Sequence, residues 1–145
     1  MVVVLVVIVM IGIIPVSNKQ KVKITKMRTG PTNEQLKALL VDLKDKGNKN
    51  SSPILLRLAN DLEKPSRQRR VVNLSRINRY TKDGETVVVP GKVLAAGELD
   101  HAVTIAAWRF SQQALDKIQK SKSKAMQISE LIKGEVKGKR IRVLG

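Results

Sequence analysis

Apolar residues recur three or four positions apart in the first half of the chain, at Leu36, Leu39, Leu40 and Leu43 and again at Leu55, Leu58, Ala59 and Leu62. This spacing places each set on one face of a helix, so it predicts helices over 33–46 and from 53 to the proline at 65. Thr32 is the predicted N-cap of the first helix, with Gln35 in the capping-box position, and Gly47 is its predicted end.

In the second half of the chain, short runs of β-branched and aromatic residues predict strands. Val87–Val89 is a continuous apolar run, typical of a strand buried on both faces, which we expect to end at Pro90-Gly91. Residues 103–110 and 125–128 are further strand candidates, and Ser111 is the predicted cap of a helix between them. The pattern therefore predicts the α/β class, as a small irregular mixed α/β domain with an N-terminal helical extension and a basic tail.

The chain divides into a leader, residues 1–26, and a domain, residues 27–145, whose helical extension covers 27–65 and whose α/β core and tail cover 66–145. Residues 1–16 are uncharged and are followed, not preceded, by lysines, which is unlike a secretory signal. They are also shorter than the about 20 apolar residues of a membrane span. Three interpretations stay open, in order of preference: a gene start placed upstream of Met27, a membrane anchor, and a cleaved signal.

The charge balance points to a polyanionic partner. The chain has 28 Lys and Arg against 12 Asp and Glu, a formal net charge of +16. Nucleic acid is the commonest partner of such a surface, and an anionic membrane is the second. Because Tyr80, Trp108 and Phe110 are the only aromatic residues, we expect contacts to phosphates and to the shape of a folded nucleic acid, and not stacking on a row of rings.

Residues for catalysis or metal binding are scarce. The chain has no cysteine, and His101 is its only histidine, so a zinc site or a nucleophile–histidine pair lacks its parts. The stretch from Gly84 to Lys92 differs from a phosphate-binding P-loop, because six residues separate the glycines and Val93 follows the lysine. We predict that the protein is not an enzyme and binds no cofactor.

The densest basic segment begins at Arg67 and includes arginines whose planar guanidinium groups suit phosphate oxygens. Arg76 and Arg79 lie three residues apart and would share a helix face. A basic tail near the C-terminus is expected to become ordered on nucleic acid. The predicted contact residues are Arg67, Arg69, Arg70, Arg76, Arg79, Lys82, Lys92, Lys137, Lys139, Arg140 and Arg142.

The run VNLSRINRYTKDGETVVVPGKVLAAGEL, Val72 to Leu99, resembles the archaeal and eukaryotic large ribosomal subunit protein eighteen family, relatives of bacterial large-subunit protein fifteen. The resemblance extends over most of 27–145 and implies a structural constituent of the large subunit in the cytoplasm. Its implied partners are large-subunit rRNA, through the basic loops and tail, and neighbouring ribosomal proteins. The less favoured alternative is a membrane-tethered basic protein that uses residues 1–16 as its anchor.

Overall fold

The computed structural model describes residues 30–134 and 140–145, of which 31–134 and 140–145 belong to one compact unit. The helices are α1 (Glu34–Lys49), α2 (Pro53–Glu63), α3 (Leu74–Tyr80), α4 (Gln112–Lys120) and α5 (Ile128–Lys133), with a 3₁₀ turn at Ser66–Gln68. The strands are β1 (Arg70–Asn73), β2 (Thr86–Leu94), β3 (Thr104–Phe110), β4 (Lys124–Gln127) and β5 (Ile141–Val143). The leader and the interpretations that depend on it lie outside the described residues.

The five strands form one parallel sheet in which β2 is the central member. The order is β1-β2-β3-β4, and β5 pairs with β2 as well. Strand β1 pairs with the second half of β2, from Gly91 to Leu94, while β5 pairs with the first half, from Thr86 to Val88. Two strands therefore lie end to end along the same edge of β2, and the predicted α/β class is confirmed.

Helices cover both faces of the sheet, which gives two hydrophobic cores. On one face α1, α2 and α5 pack against Val88 and Ala106, and on the other α3 and α4 pack against Val87, Val89 and Ile105. Parallel strands need this double cover, because both of their faces must leave water. The prediction that Val87–Val89 is buried on both sides is confirmed, since none of the three side chains is exposed. The helical pair α1–α2 thus forms one wall of the domain.

Strand β2 does not end at Pro90-Gly91, as the sequence predicted, but continues to Leu94. The pairing with β3 shifts between Val89 and Lys92, so one extra residue is accommodated there as a bulge. Proline lacks the N–H that a regular ladder uses and is therefore tolerated at a bulge. Gly91 faces Arg70 of β1, whose backbone carbonyl fills the space that a side chain would need.

The ends of α1 differ from the prediction. Asn33, not Thr32, is the N-cap: its Oδ1 accepts hydrogen bonds from the backbone N–H groups of Gln35 (2.9 Å) and Leu36 (3.3 Å). Gly47 does not end the helix but is buried within it, where a Cβ would lie 2.8 Å from a side-chain carbon of Leu56. This glycine therefore allows α1 and α2 to approach closely.

Part of the basic tail, which was expected to become ordered on nucleic acid, belongs to the folded domain, because residues 141–143 form β5. Ile141 and Val143 pack against the core beneath α1 and α2, while Arg142 between them is exposed. The backbone N–H of Leu144 donates to the carbonyl oxygen of Val88 (3.0 Å). Apolar burial and sheet hydrogen bonds together fix this segment.

Gly91→Ala is expected to lower the free energy of unfolding by about 3 kcal/mol, because the new methyl group overlaps the backbone of Arg70 and must separate β1 from β2. Urea denaturation measures the change. Gly134→Ala is the control, since its Cβ would meet only the carbonyl oxygen of Leu131 at 3.6 Å. Equal stability of the two variants would contradict the importance assigned to this contact.

Candidate nucleic-acid interface

The connection between α2 and β1 presents three arginines. The 3₁₀ turn leaves Arg67 exposed, and Arg70 is exposed at the first position of β1. Arg69 is turned partly inward, and its Nε donates to the carbonyl oxygen of Lys64 (3.1 Å). The turn therefore holds the three side chains at the start of β1 instead of leaving them on a mobile loop.

Two further cations lie on the neighbouring strands. Lys92 of β2 is in register with Val71 of β1 on one side and with Arg109 of β3 on the other. All three of these residues are exposed. In a parallel sheet adjacent strands lie about 4.8 Å apart, so Lys92 and Arg109 are direct neighbours with the same charge. We call Arg67, Arg69, Arg70, Lys92 and Arg109 the central basic surface.

The pKa of the Arg69 guanidinium reflects this crowding. Partial burial lowers it below its ordinary value, and the positive charge of Arg109 lowers it further. Arginine starts from a pKa so high that the group stays charged at neutral pH. Arg69 and Arg109 therefore repel one another across the end of the sheet.

No acidic side chain offsets these charges within the residues that the structure describes. The ion pairs there join Lys44 to Glu63, Lys64 to Asp61 and Arg142 to Glu85. None of them includes a member of the central basic surface. Like charges placed side by side destabilise a free protein, and an external polyanion is the partner that would neutralise them.

A second basic group lies on α3. Arg76 and Arg79 are both exposed and, as predicted, three residues apart on one helix. Leu74 and Ile77 on the opposite side are fully buried in the second core. The helix thus presents its arginines outward. The guanidinium carbon of Arg76 lies 6.0 Å from the centre of the Tyr80 ring.

A third group lies at the opposite end of β2, about 20 Å from Lys92 at 3.3 Å per residue. Lys82 is exposed in the turn before β2, and Arg140 precedes β5. The Nε of Arg142 lies 3.5 Å from Glu85 Oε2, which also accepts the backbone N–H of Lys82 (3.2 Å). Arg142 therefore stabilises the start of β2. The predicted residues Lys137 and Lys139 lie outside the described residues.

Arg109 is the member of the central basic surface that sequence reasoning missed. It lies in a strand candidate rich in apolar residues, where regular strand alternation would place its two neighbours, Trp108 and Phe110, on one face. The structure shows Trp108 against one core and Phe110 against the other. The shifted register beside Lys92 accompanies this change of face. The signal in the sequence that could have indicated Arg109 was a lone cation inside an apolar strand.

His101 has a structural partner. The Thr81 hydroxyl donates its single proton to the carbonyl oxygen of Ile77 (2.7 Å) and lies 2.8 Å from Nε2 of His101. Nε2 must therefore carry the hydrogen in that second contact.

Across the described parts of the chain, no group of three or more His, Cys, Asp or Glu side chains could hold a metal ion. The helices described there include none long and apolar enough to cross a membrane.

Comparison with known proteins decides the family. A family model described as ribosomal proteins 50S-L15, 50S-L18e and 60S-L27a matches residues 55–126. The large ribosomal subunit protein eL18 of Methanoregula boonei is 45% identical over 113 residues, which are 78% of this chain and 93% of that protein. This chain belongs to the L15/L18e family of ribosomal proteins.

Two further relatives extend the match. The eL18 protein of Sulfurisphaera tokodaii is 44% identical over 117 residues, covering 81% of this chain and 96% of its own length. That of Sulfolobus acidocaldarius is 42% identical over 120 residues, covering 81% and 98%. The resemblance inferred from Val72–Leu99 is confirmed. Members of the L15/L18e family are ribosomal proteins and not enzymes, in agreement with the predicted absence of catalysis.

Arg109→Gln is expected to raise the free energy of unfolding of the isolated protein by about 0.2–1 kcal/mol, because it removes a like-charged neighbour of Lys92 and Arg69. The gain should be present at about 0.01 M ionic strength and vanish at about 1 M, where charges are screened. Urea denaturation at the two salt concentrations measures it.

Arg57→Gln is the control, since Arg57 is exposed on α2 and takes no part in the ion pairs of the described residues. An equal gain in stability in this variant would mean that total charge, and not the proximity of Arg109 to Lys92 and Arg69, determines the change in unfolding free energy.

Proposed function

We propose that this protein is a structural constituent of the large ribosomal subunit and that its central basic surface binds rRNA. Membership of the L15/L18e family supports the ribosomal role. The observation that carries the binding site is the group of cations from three adjacent strands and the preceding turn, without an acidic partner among the described residues.

The geometry of this surface suits a phosphate backbone. Guanidinium groups donate paired hydrogen bonds to phosphate oxygens, and lysine adds a point charge. Arg70, Lys92 and Arg109 belong to hydrogen-bonded strands that lie between two packed cores, so little backbone entropy is lost when they bind. A preorganised cationic surface recognises the shape and charge of folded RNA without reading its bases.

The other predicted contacts extend this proposal to separate parts of the domain. Arg76 and Arg79 would meet RNA on the outer side of α3. Lys82, Arg140 and Arg142 would meet it at the start of β2. Lys137 and Lys139 are further contacts predicted from the sequence. Because the start of β2 lies about 20 Å from Lys92 along that strand, the protein would contact at least two separate stretches of phosphate backbone. That arrangement suits a protein that holds RNA elements together.

Replacing the three arginines of the turn, by Arg67→Gln, Arg69→Gln and Arg70→Gln, is expected to weaken binding to a large-subunit rRNA transcript and to flatten its salt dependence. Each lost phosphate contact should reduce the slope of log K against log salt by about 0.7 to 0.9. Filter binding over a range of salt concentrations measures both quantities. The pair Lys92→Gln and Arg109→Gln should act in the same direction.

The charge-matched control carries Lys37→Gln, Lys49→Gln and Arg57→Gln, three exposed positions on the helical pair. It loses the same net charge but keeps the central basic surface. If this control weakened binding as much as the triple arginine variant, a general electrostatic attraction, and not the proposed site, would account for the binding.

Sedimentation of a cell lysate through a sucrose gradient tests the ribosomal role directly, since the protein should migrate with the large subunit.

A further inference from the structure

Tyr80 is the one exposed aromatic side chain in the described part of the chain. It keeps 49% of its surface accessible, whereas Trp108 and Phe110 each pack against a hydrophobic core. A large ring left in water contributes little to folding. An exposed tyrosine ring is available to stack on a flat partner such as a nucleobase.

Arg76 lies one helical turn before Tyr80, with its guanidinium carbon 6.0 Å from the ring centre. This distance permits a cation–π contact, which restrains both side chains. No described ion pair engages Arg76. The pair therefore offers two planar groups, a phenol ring and a guanidinium, and both kinds of plane stack on nucleobases.

The backbone beneath Tyr80 is held in place from three directions. Ile77 is fully buried in the second core. The Thr81 hydroxyl donates to the carbonyl oxygen of Ile77 (2.7 Å), and the Asn78 amide nitrogen donates to Asp100 Oδ2 (2.6 Å). The Asp100 backbone N–H donates back to Asn78 Oδ1 (3.1 Å). The end of α3 is thus fixed before any partner arrives.

Cations flank the ring in sequence. Arg79 precedes Tyr80 by one residue and Lys82 follows by two, and both are exposed without a described ion pair. A nucleotide carries its charge on the phosphate and its flat apolar surface on the base. Basic side chains beside an exposed ring match both parts.

We propose that Tyr80 and Arg76 form a stacking platform for a single unpaired base of the bound RNA, with Arg79 and Lys82 near its flanking phosphates. The proposal rests on the RNA-binding role proposed above and adds a ligand class to it. Bases inside a duplex are stacked on each other and cannot offer a free face, so the platform selects a bulge or loop nucleotide. Its single ring distinguishes it from a row of rings, which the sequence does not provide.

The test compares two RNA hairpins of the same stem: one with a single bulged 2-aminopurine, and one with the bulge deleted. The full-length protein should bind the bulged hairpin more tightly and quench its fluorescence, since stacking tolerates most bases. Tyr80→Leu should weaken binding to the bulged hairpin by between about five- and a hundredfold. It should leave the affinity for the paired hairpin, and the salt dependence of that affinity, unchanged.

Tyr80→Phe is the matched control, because it keeps the ring and should keep both the affinity difference and the quenching. Circular dichroism confirms the fold of each variant. Equal binding of the two hairpins by the unmodified protein, or equal losses on both hairpins in Tyr80→Leu, would overturn the platform. Failure to bind either hairpin would instead count against the RNA-binding role itself, so the two failures are distinguishable.

Discussion

The close approach of β1 to β2 at Gly91 is the constraint on which the rest of the structure depends. Only a residue without a side chain fits beside the carbonyl of Arg70. This contact lets β1 pair along the second half of β2, while β5 occupies the first half of the same edge. Without it the turn that holds Arg67 and Arg69 would have no fixed position relative to Lys92 and Arg109.

The central basic surface shows how an unfavourable arrangement in the free protein can serve binding. Neighbouring strands place Lys92 beside Arg109. The pKa of Arg69 is lowered by partial burial and by the positive charge of Arg109. Repulsion of this kind lowers stability until an anion arrives. The two cores, one on each face of the sheet, supply the stability that holds the charges together.

The basic residues have different roles in the structure, although in the sequence they contribute equally to the net positive charge. Those of the turn and of β2 and β3 lie at one end of the sheet. Arg142 is paired with Glu85 and supports the start of β2. Arg76 contacts an aromatic ring instead of an acidic group. Net charge therefore indicates a polyanionic partner but does not show which cations are free to bind it.

The sequence by itself determined the helical pair, the buried strand Val87–Val89, the α/β class and the family, because periodicity, apolar runs and a long motif are local signals. It failed at Pro90-Gly91 and at β5, since a bulge and an edge pairing depend on strands distant in the chain. The convergence of Arg69, Lys92 and Arg109 was likewise decided only by the tertiary structure. Sheet register brings Lys92 beside Arg109, and the turn before β1 places Arg69 near them. Register follows from packing between segments that no local pattern relates.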